Sequence, residues 1–182
     1  SLNSNNKKQI DSKQELLMSS SENNALKTVL DPTNPLTEND FATSDTIYYF
    51  NNGTYTLTGM YGFSIGADPA SGMGINNIVL KPNGDANVTI KITNEFVFMI
   101  VIGNNITVEN IKFTGSYHSQ SLLQITGATN VTLRNCTVED MEDGPSVLSI
   151  DTNSYVPGPV DCVLIENCKF INVKSTNGNT FS

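Results

Sequence analysis

Three segments of eight residues superimpose without a gap: Ile106 to Phe113 (ITVENIKF), Val131 to Val138 (VTLRNCTV) and Val163 to Phe170 (VLIENCKF). Each reads apolar, any, apolar, charged, Asn, apolar, any, apolar. The alternation is that of a strand, and its phase changes at the Asn, where the chain has to bend. Such a unit cannot bury its own apolar side, so the copies must stack, each strand beside its equivalent about 4.8 Å away. A weaker fourth copy begins at Val88 (VTIKI), and successive copies start 18, 25 and 32 residues apart.

The unequal spacings have one source. Segments Leu122 to Ile125 and Val147 to Ile150 each begin nine residues after the apolar residue that closes the preceding copy, Phe113 or Val138. The next connection is four residues in one case (127–130) and eleven in the other (151–161), which accounts for the difference between 25 and 32. Each repeat is thus three short strands with loops of variable length. The expected fold is all-β: a parallel β-helix of about four rungs with Ile106, Val108, Ile111 and Phe113 pointing inward. Asn110, Asn135 and Asn167 are expected at the bend in the left-handed conformation, as an internal ladder. Cys136 and Cys168 should stack beside Ile111. The outward column before the Asn reads Lys91, Glu109, Arg134, Glu166, alternating in sign, and the next reads Thr89, Thr107, Thr132, Leu164.

Composition agrees with strands. The chain has 24 Asn, 19 Thr and 17 Ser among 182 residues, and Asn and Thr are poor helix formers. The 38% apolar content is enough for a core. All 14 aromatic residues lie at Phe41 or later. Residues 1–40 are therefore expected to be a flexible tail or stalk, and 41–182 the stacked domain. Leu16, Leu17, Leu26, Val29 and Leu30 suit a short capping helix stopped by Asp31-Pro32 and Asn34-Pro35; alternatively Ala25 to Leu30 packs over the end of the stack. No apolar run approaches the roughly 20 residues of a membrane span. Ser1 to Ile10 has no secretory h-region, so an export signal is expected to be already removed. A net charge of -8, with Arg134 the single Arg, argues against nucleic acid or an anionic membrane as partner. Cys136, Cys162 and Cys168 fit no zinc spacing and read as core filler, with one bridge open to them.

The opening segment Thr46 to Leu57 (TIYYFNNGTYTL), together with the Asn-centred repeats, resembles the right-handed β-helix proteins of the pectate-lyase-like superfamily. In its Asn/Thr-rich style the chain is similar to adhesin-like β-helix surface proteins of archaea and bacteria. The resemblance covers about 46–182 and implies a right-handed, single-stranded coil. It leaves function open, because lyases, hydrolases, esterases and non-catalytic adhesins share this fold. Lyases of the superfamily use an Arg base with carboxylate-bound calcium. Here Arg134 sits in the outward column between Glu109 and Glu166, an ordinary surface ion-pair position. Asp151-Thr152-Asn153 and Glu142-Asp143-Gly144 only approximate the paired-Asp pattern of polygalacturonase-like hydrolases, so those roles are not carried over.

His118 lies five residues after Phe113 and Asp143 five after Val138, so stacked loops should set the two together. With Glu142 and Tyr117 they suit acid–base chemistry or metal coordination; a solvated loop pair is the alternative. Glu139, Asp140, Glu142, Asp143 and Asp151 offer oxygen ligands of the kind calcium takes, with Asp140 and Asp143 foremost, though without the spacing of a known loop. No other cofactor is expected. Tyr155, in the long loop near Pro157 and Pro159, and Tyr117 are candidates for stacking on sugar. Asn-X-Ser/Thr sites occur at Asn52, Asn87, Asn105, Asn130 and Asn135; Asn87, Asn105 and Asn130 should line one side, and Asn135 should be buried.

The expected function is that of a non-catalytic, adhesin-like module, extracellular or on a cell surface, that binds polysaccharide or a cell-surface partner. The alternative is a polysaccharide lyase or glycoside hydrolase with His118, Glu142, Asp143 and Asp151 as its candidates. Nine residues after Phe170 falls at Asn179, so 179–182 only begins another strand. The expectation is a longer stack, or end-to-end association.

Overall fold

The computed structural model describes residues 23–36, 40–41, 43–57, 63–65, 74–92, 98–101, 103–116, 123–144, 148–150 and 160–175. After β1 (Leu26–Leu30) come β2 (Thr46–Phe50), β3 (Gly53–Thr56) and β4 (Phe63–Ile65), then β5 (Ile75–Pro82), β6 (Val88–Ile92) and β7 (Phe98–Val101). The same order recurs in β8 (Gly103–Glu109), β9 (Ile111–Ser116) and β10 (Leu123–Thr126), and in β11 (Thr129–Arg134), β12 (Thr137–Gly144) and β13 (Leu148–Ile150). Strands β14 (Asp161–Glu166) and β15 (Lys169–Ser175) follow.

Three sheets result, ordered β1-β2-β5-β8-β11-β14, β15-β12-β9-β6-β3 and β13-β10-β7-β4. All their strand pairs are parallel. A parallel pair needs a long crossover, and here the other two sheets supply it. The chain therefore coils through the three sheets in turn, in the manner of a parallel β-helix.

The three gapless copies stack in the register their alignment requires. Ile106, Val131 and Val163 lie side by side in the six-stranded sheet, as do Phe113, Val138 and Phe170 in the five-stranded one. Ile106, Val108 and Phe113 are fully buried and Ile111 is 1% exposed, as expected of inward positions. Phe41, Phe50 and Tyr55 close the core near β2 and β3, with Phe50 edge-on to Tyr55 at 5.0 Å between ring centroids. The Tyr55 hydroxyl donates to the carbonyls of Leu30 and Asn51 at 2.8 and 3.0 Å, so its polar tip is satisfied.

Three expectations about the stack are corrected. The segment at Val88 is no fourth copy: β6 belongs to the five-stranded sheet, with Val88 beside Ile111. The strand beside β8 is β5, where Ile78 faces Ile106. Pro82 stands there at the place of the Asn, and its fixed φ cannot supply the left-handed bend, which hid the copy. Consequently Lys91 and Thr89 leave the outward columns. Lys81, one residue past the Leu80–Val108 pair, precedes Glu109, Arg134 and Glu166, so the alternation of sign survives with a different lysine. In the neighbouring column Val79 replaces Thr89 ahead of Thr107, Thr132 and Leu164.

Secondly, Asn110, Asn135 and Asn167 do adopt positive φ (57°, 52° and 53°), but all three are exposed at the outside of the bend. A ladder turned into the core is not what the bend provides, and Asn135 is not shielded from modification by burial. The backbone joins these bends: Asn110 N–H donates to Arg134 O and Asn135 N–H to Glu166 O, at 3.0 and 2.9 Å. Thirdly, the helix expected over Leu26 to Leu30 is instead a strand paired with β2 at the end of the six-stranded sheet, in line with the alternative that this segment packs on the end of the stack. Residues 1–22 lie outside the described set.

The cysteines divide. Cys136 is buried beside Ile111, and Cys168 packs half-buried against the same core, as expected. Cys162 is exposed, contrary to the expectation of core filler, and all three thiols are free.

Candidate functional site

The sequence candidates reach the structure unevenly. Tyr117, His118, Asp151 and Tyr155 lie outside the described residues, and for Glu142 and Asp143 the description reaches the backbone only. Register sets Glu142 beside Ser116, two residues before His118, while the expected pairing of His118 with Asp143 itself falls outside the described residues. Asp140 is described: it has φ 53°, and its Oδ1 accepts a hydrogen bond from Asn172 Nδ2 at 3.1 Å. Glu139 pairs with Lys112 at 2.8 Å. Among the described residues no group of three or more His, Cys, Asp or Glu is placed to hold a metal ion.

Arg134 is held on both sides as its column requires. Its Nε donates to Glu166 Oε2 at 2.8 Å, and Nη1 lies 3.9 Å from Glu109 Oε2. A guanidinium held between two stacked carboxylates on the outer face of a sheet is an ordinary structural ion pair.

A run of linked polar side chains lies elsewhere, where the chain enters the six-stranded sheet. Asp45, Asn77, Asn105, Asn130 and Cys162 occupy one column of equivalent positions, each immediately before a matched residue of the ladder. All five have positive φ, between 52° and 64°. The side chains of Asp45, Asn77 and Asn105 are linked from strand to strand. Asn77 Nδ2 donates to Asp45 Oδ1 at 2.6 Å, and Asn105 Nδ2 donates to Asn77 Oδ1 at 3.0 Å. A parallel column one residue earlier runs Asn76, Asn104, Thr129, Asp161. There Asn104 Oδ1 accepts from Thr129 Oγ1 at 2.9 Å and from Asn130 Nδ2 at 2.8 Å.

Left-handed backbone costs an ordinary residue about 1–2 kcal/mol, and Asn tolerates it best because its amide bonds locally. This explains Asn77 and Asn105, the second members of the Asn-Asn doublets near the start of β5 and β8. The doublets were the available signal, but they lie outside the eight-residue repeat and escaped an alignment built on it. Asn77 spends one N–H and one oxygen lone pair on its neighbours and Asn105 and Asn130 one N–H each, and these side chains are exposed to solvent. The product is a ridge of amide, hydroxyl and carboxylate groups repeated at the strand spacing, able to donate and accept hydrogen bonds at fixed intervals.

The glycosylation sites are corrected in placement. All five Asn residues are exposed, and Asn105 and Asn130 share the ridge, but Asn87 precedes β6 in another sheet. Two thiols differ in chemistry. Burial pushes the Cys136 thiol up to about 12, so it is inert at neutral pH. Asp161 raises exposed Cys162, by a side-chain hydrogen bond first and by its charge second.

Comparison with family models, curated proteins and solved structures gives no match to this chain.

Proposed function

We propose that this chain is a non-catalytic, adhesin-like module that binds polysaccharide, extracellular or on a cell surface, built as a right-handed single-stranded β-helix of about four rungs akin to the pectate-lyase-like superfamily. The observation that carries the reading is the amide ridge. Sugar hydroxyls each donate and accept, and a linear glycan repeats them; a rigid row of donors and acceptors at strand spacing offers matching partners without chain ordering on binding. End-to-end association of copies is part of the reading, supported by exposed Leu164, Ile165 and Ile171 on β14 and β15.

The test is binding to a panel of soluble polysaccharides by affinity electrophoresis, with Asn77→Gly and Asn105→Gly as variants. Glycine keeps the left-handed backbone while deleting the amide. Retardation by at least one glycan, lost in both variants, supports the reading; no retardation by any glycan refutes it. The enzyme alternative rests on the strand ends at Ser116 and Glu142, which β9 and β12 bring side by side. New reducing ends released from any polysaccharide, and abolished by His118→Ala or Asp143→Ala, would favour that alternative.

A further inference from the structure

Cys136 and Cys168 take the same place in successive turns of the coil. On one side of them Arg134 pairs with Glu166, and on the other Thr137 pairs with Lys169. The backbone hydrogen bonds that bracket the two, Asn135 N–H to Glu166 O and Lys169 N–H to Cys136 O, are both 2.9 Å. Both side chains point inward: Cys136 is 3% exposed, and Cys168 packs half-buried on the same core. Their thiols make equivalent contacts one turn apart. Cys136 Sγ donates to Val108 O and Cys168 Sγ to Leu133 O, each at 3.5 Å, and Val108 and Leu133 are themselves a matched pair. The Cys168 thiol therefore leans onto the turn that carries Cys136. The two interact there: burial first, and then the charge of Cys168 and a side-chain hydrogen bond with it, raise the Cys136 thiol.

We propose that Cys136 and Cys168 are joined by a disulfide when the chain folds in oxidising surroundings, a cross-link that staples the last described turn of the coil to the one before it. The inference is independent of the glycan-binding reading. Matched residues of adjacent strands lie about 4.8 Å apart, inside the roughly 4.4–6.8 Å that a disulfide spans between Cα atoms. The two Cβ atoms point the same way and need to close by only about a few tenths of an ångström. Cys162 has no such partner. It stands near the start of β14 and Cys168 beyond its end, so more than about 13 Å of strand separates them, and register places Cys162 equally far from Cys136. The staple falls where the stack is held least. Strands β14 and β15 end their sheets with a partner on one side only, and Ile165 and Ile171 are 38% and 46% exposed there. The oxidant is a small-molecule disulfide such as that of glutathione. The Cys168 thiolate attacks one of its sulfurs and expels one thiol; the Cys136 thiolate then attacks Cys168 Sγ and expels the second. Two electrons and two protons pass from the cysteine pair to the small disulfide, which becomes two thiols. Burial makes Cys136 unreactive in the finished fold, so its attack takes place during folding, while the thiol is still ordinary.

The test uses the full chain, as wild type and with Cys162→Asn to remove the exposed thiol, refolded from urea into a buffer of reduced and oxidised glutathione. Remaining thiols are blocked, and cleavage after glutamate sets Cys136 in fragment 110–139, Cys162 in fragment 143–166 and Cys168 in the fragment that begins at 167. We expect the fragments of Cys136 and Cys168 to be recovered joined, and to part on reduction. The bridge should be at least about tenfold harder to reduce in the folded chain than in urea, because the factor by which folding favours the bond is the factor by which the bond favours folding. The urea midpoint should accordingly be higher for the oxidised chain than for the reduced one, and Cys162→Asn/Cys168→Ala should show no such difference. Cys136 and Cys168 both free in the folded product, or each capped by glutathione, overturns the proposal. So does a bridge reduced as easily in the folded chain as in urea. A bond from either residue to Cys162 in the wild type, in place of the one between Cys136 and Cys168, overturns it too.

Discussion

Replacing Gly115 by Ala tests the close approach of the adjacent strands β6 and β9. Gly115 has φ 133° and pairs with Ile92 on β6, and an added Cβ would lie 1.7 Å from the Ile92 carbonyl oxygen. Real Cβ atoms essentially never approach within 3.0 Å, so the two strands would have to part by at least about 1.3 Å. A ladder hydrogen bond near 2.9 Å would then exceed 4 Å and be lost. Losing two such bonds at about 1 kcal/mol each, leaving their groups half-desolvated, and forcing Ala into this backbone region give a total of about 3–5 kcal/mol. That is a large share of the roughly 5–15 kcal/mol that holds a domain of ordinary stability. Gly84 is the internal control: its φ is 57° and nothing lies within 4 Å of an added Cβ, so Gly84→Ala carries only the backbone cost of about 1 kcal/mol. Urea denaturation followed by far-UV circular dichroism measures both. Similar midpoint shifts for the two variants would refute the contact between β6 and β9.

Further outcomes follow from the same geometry. Cys162→Asn should raise the urea midpoint, because it restores Asn at the one left-handed position of the ridge held by Cys, φ 54°. In the native protein a thiol reagent should label Cys162 and spare Cys136 until unfolding, and Asp161→Asn should speed the labelling because it removes the group that raises the Cys162 thiol. Stability should fall between pH 9 and 12. Burial holds the Cys136 thiol and the Tyr55 hydroxyl protonated up to about 12, while the unfolded chain releases those protons near 9 and 10, so the folded state binds more protons and loses ground as pH rises. Cys136→Ala should flatten that decline; an unchanged slope would contradict the burial of the thiol. Arg134→Met should cost at most about 1 kcal/mol, an effect that salt diminishes, because its ion pairs are part-exposed.

The stack itself was legible because its signal is repetition. ITVENIKF, VTLRNCTV and VLIENCKF share length, phase and bend, and their alignment is their register in the folded chain. Where a turn changes chemistry, that signal fails. Pro82 at the bend concealed β5, and VTIKI, which has the right alternation, belongs to a sheet one bend away. Alternation tells in from out, but not which of three sheets a strand joins. The bend asparagines show another limit: sequence identifies the backbone conformation they adopt, whereas their facing outward depends on the direction of the turn, which no single residue encodes. The amide ridge lies at the beginnings of the strands, ahead of the eight-residue repeat, and only the stacked register turns scattered Asn-Asn doublets into a row.

The central claim is that these repeats stack in parallel, and inter-strand nuclear Overhauser contacts test it most directly. On a uniformly labelled sample, Val108 should contact Leu133, and Leu133 should contact Ile165, as matched residues of adjacent parallel strands. Thr107, Thr132 and Leu164 should form the neighbouring row. Contacts running in opposite directions along these segments, as in hairpins, or contacts joining Val88 to Ile106 in place of Ile111, would contradict the account.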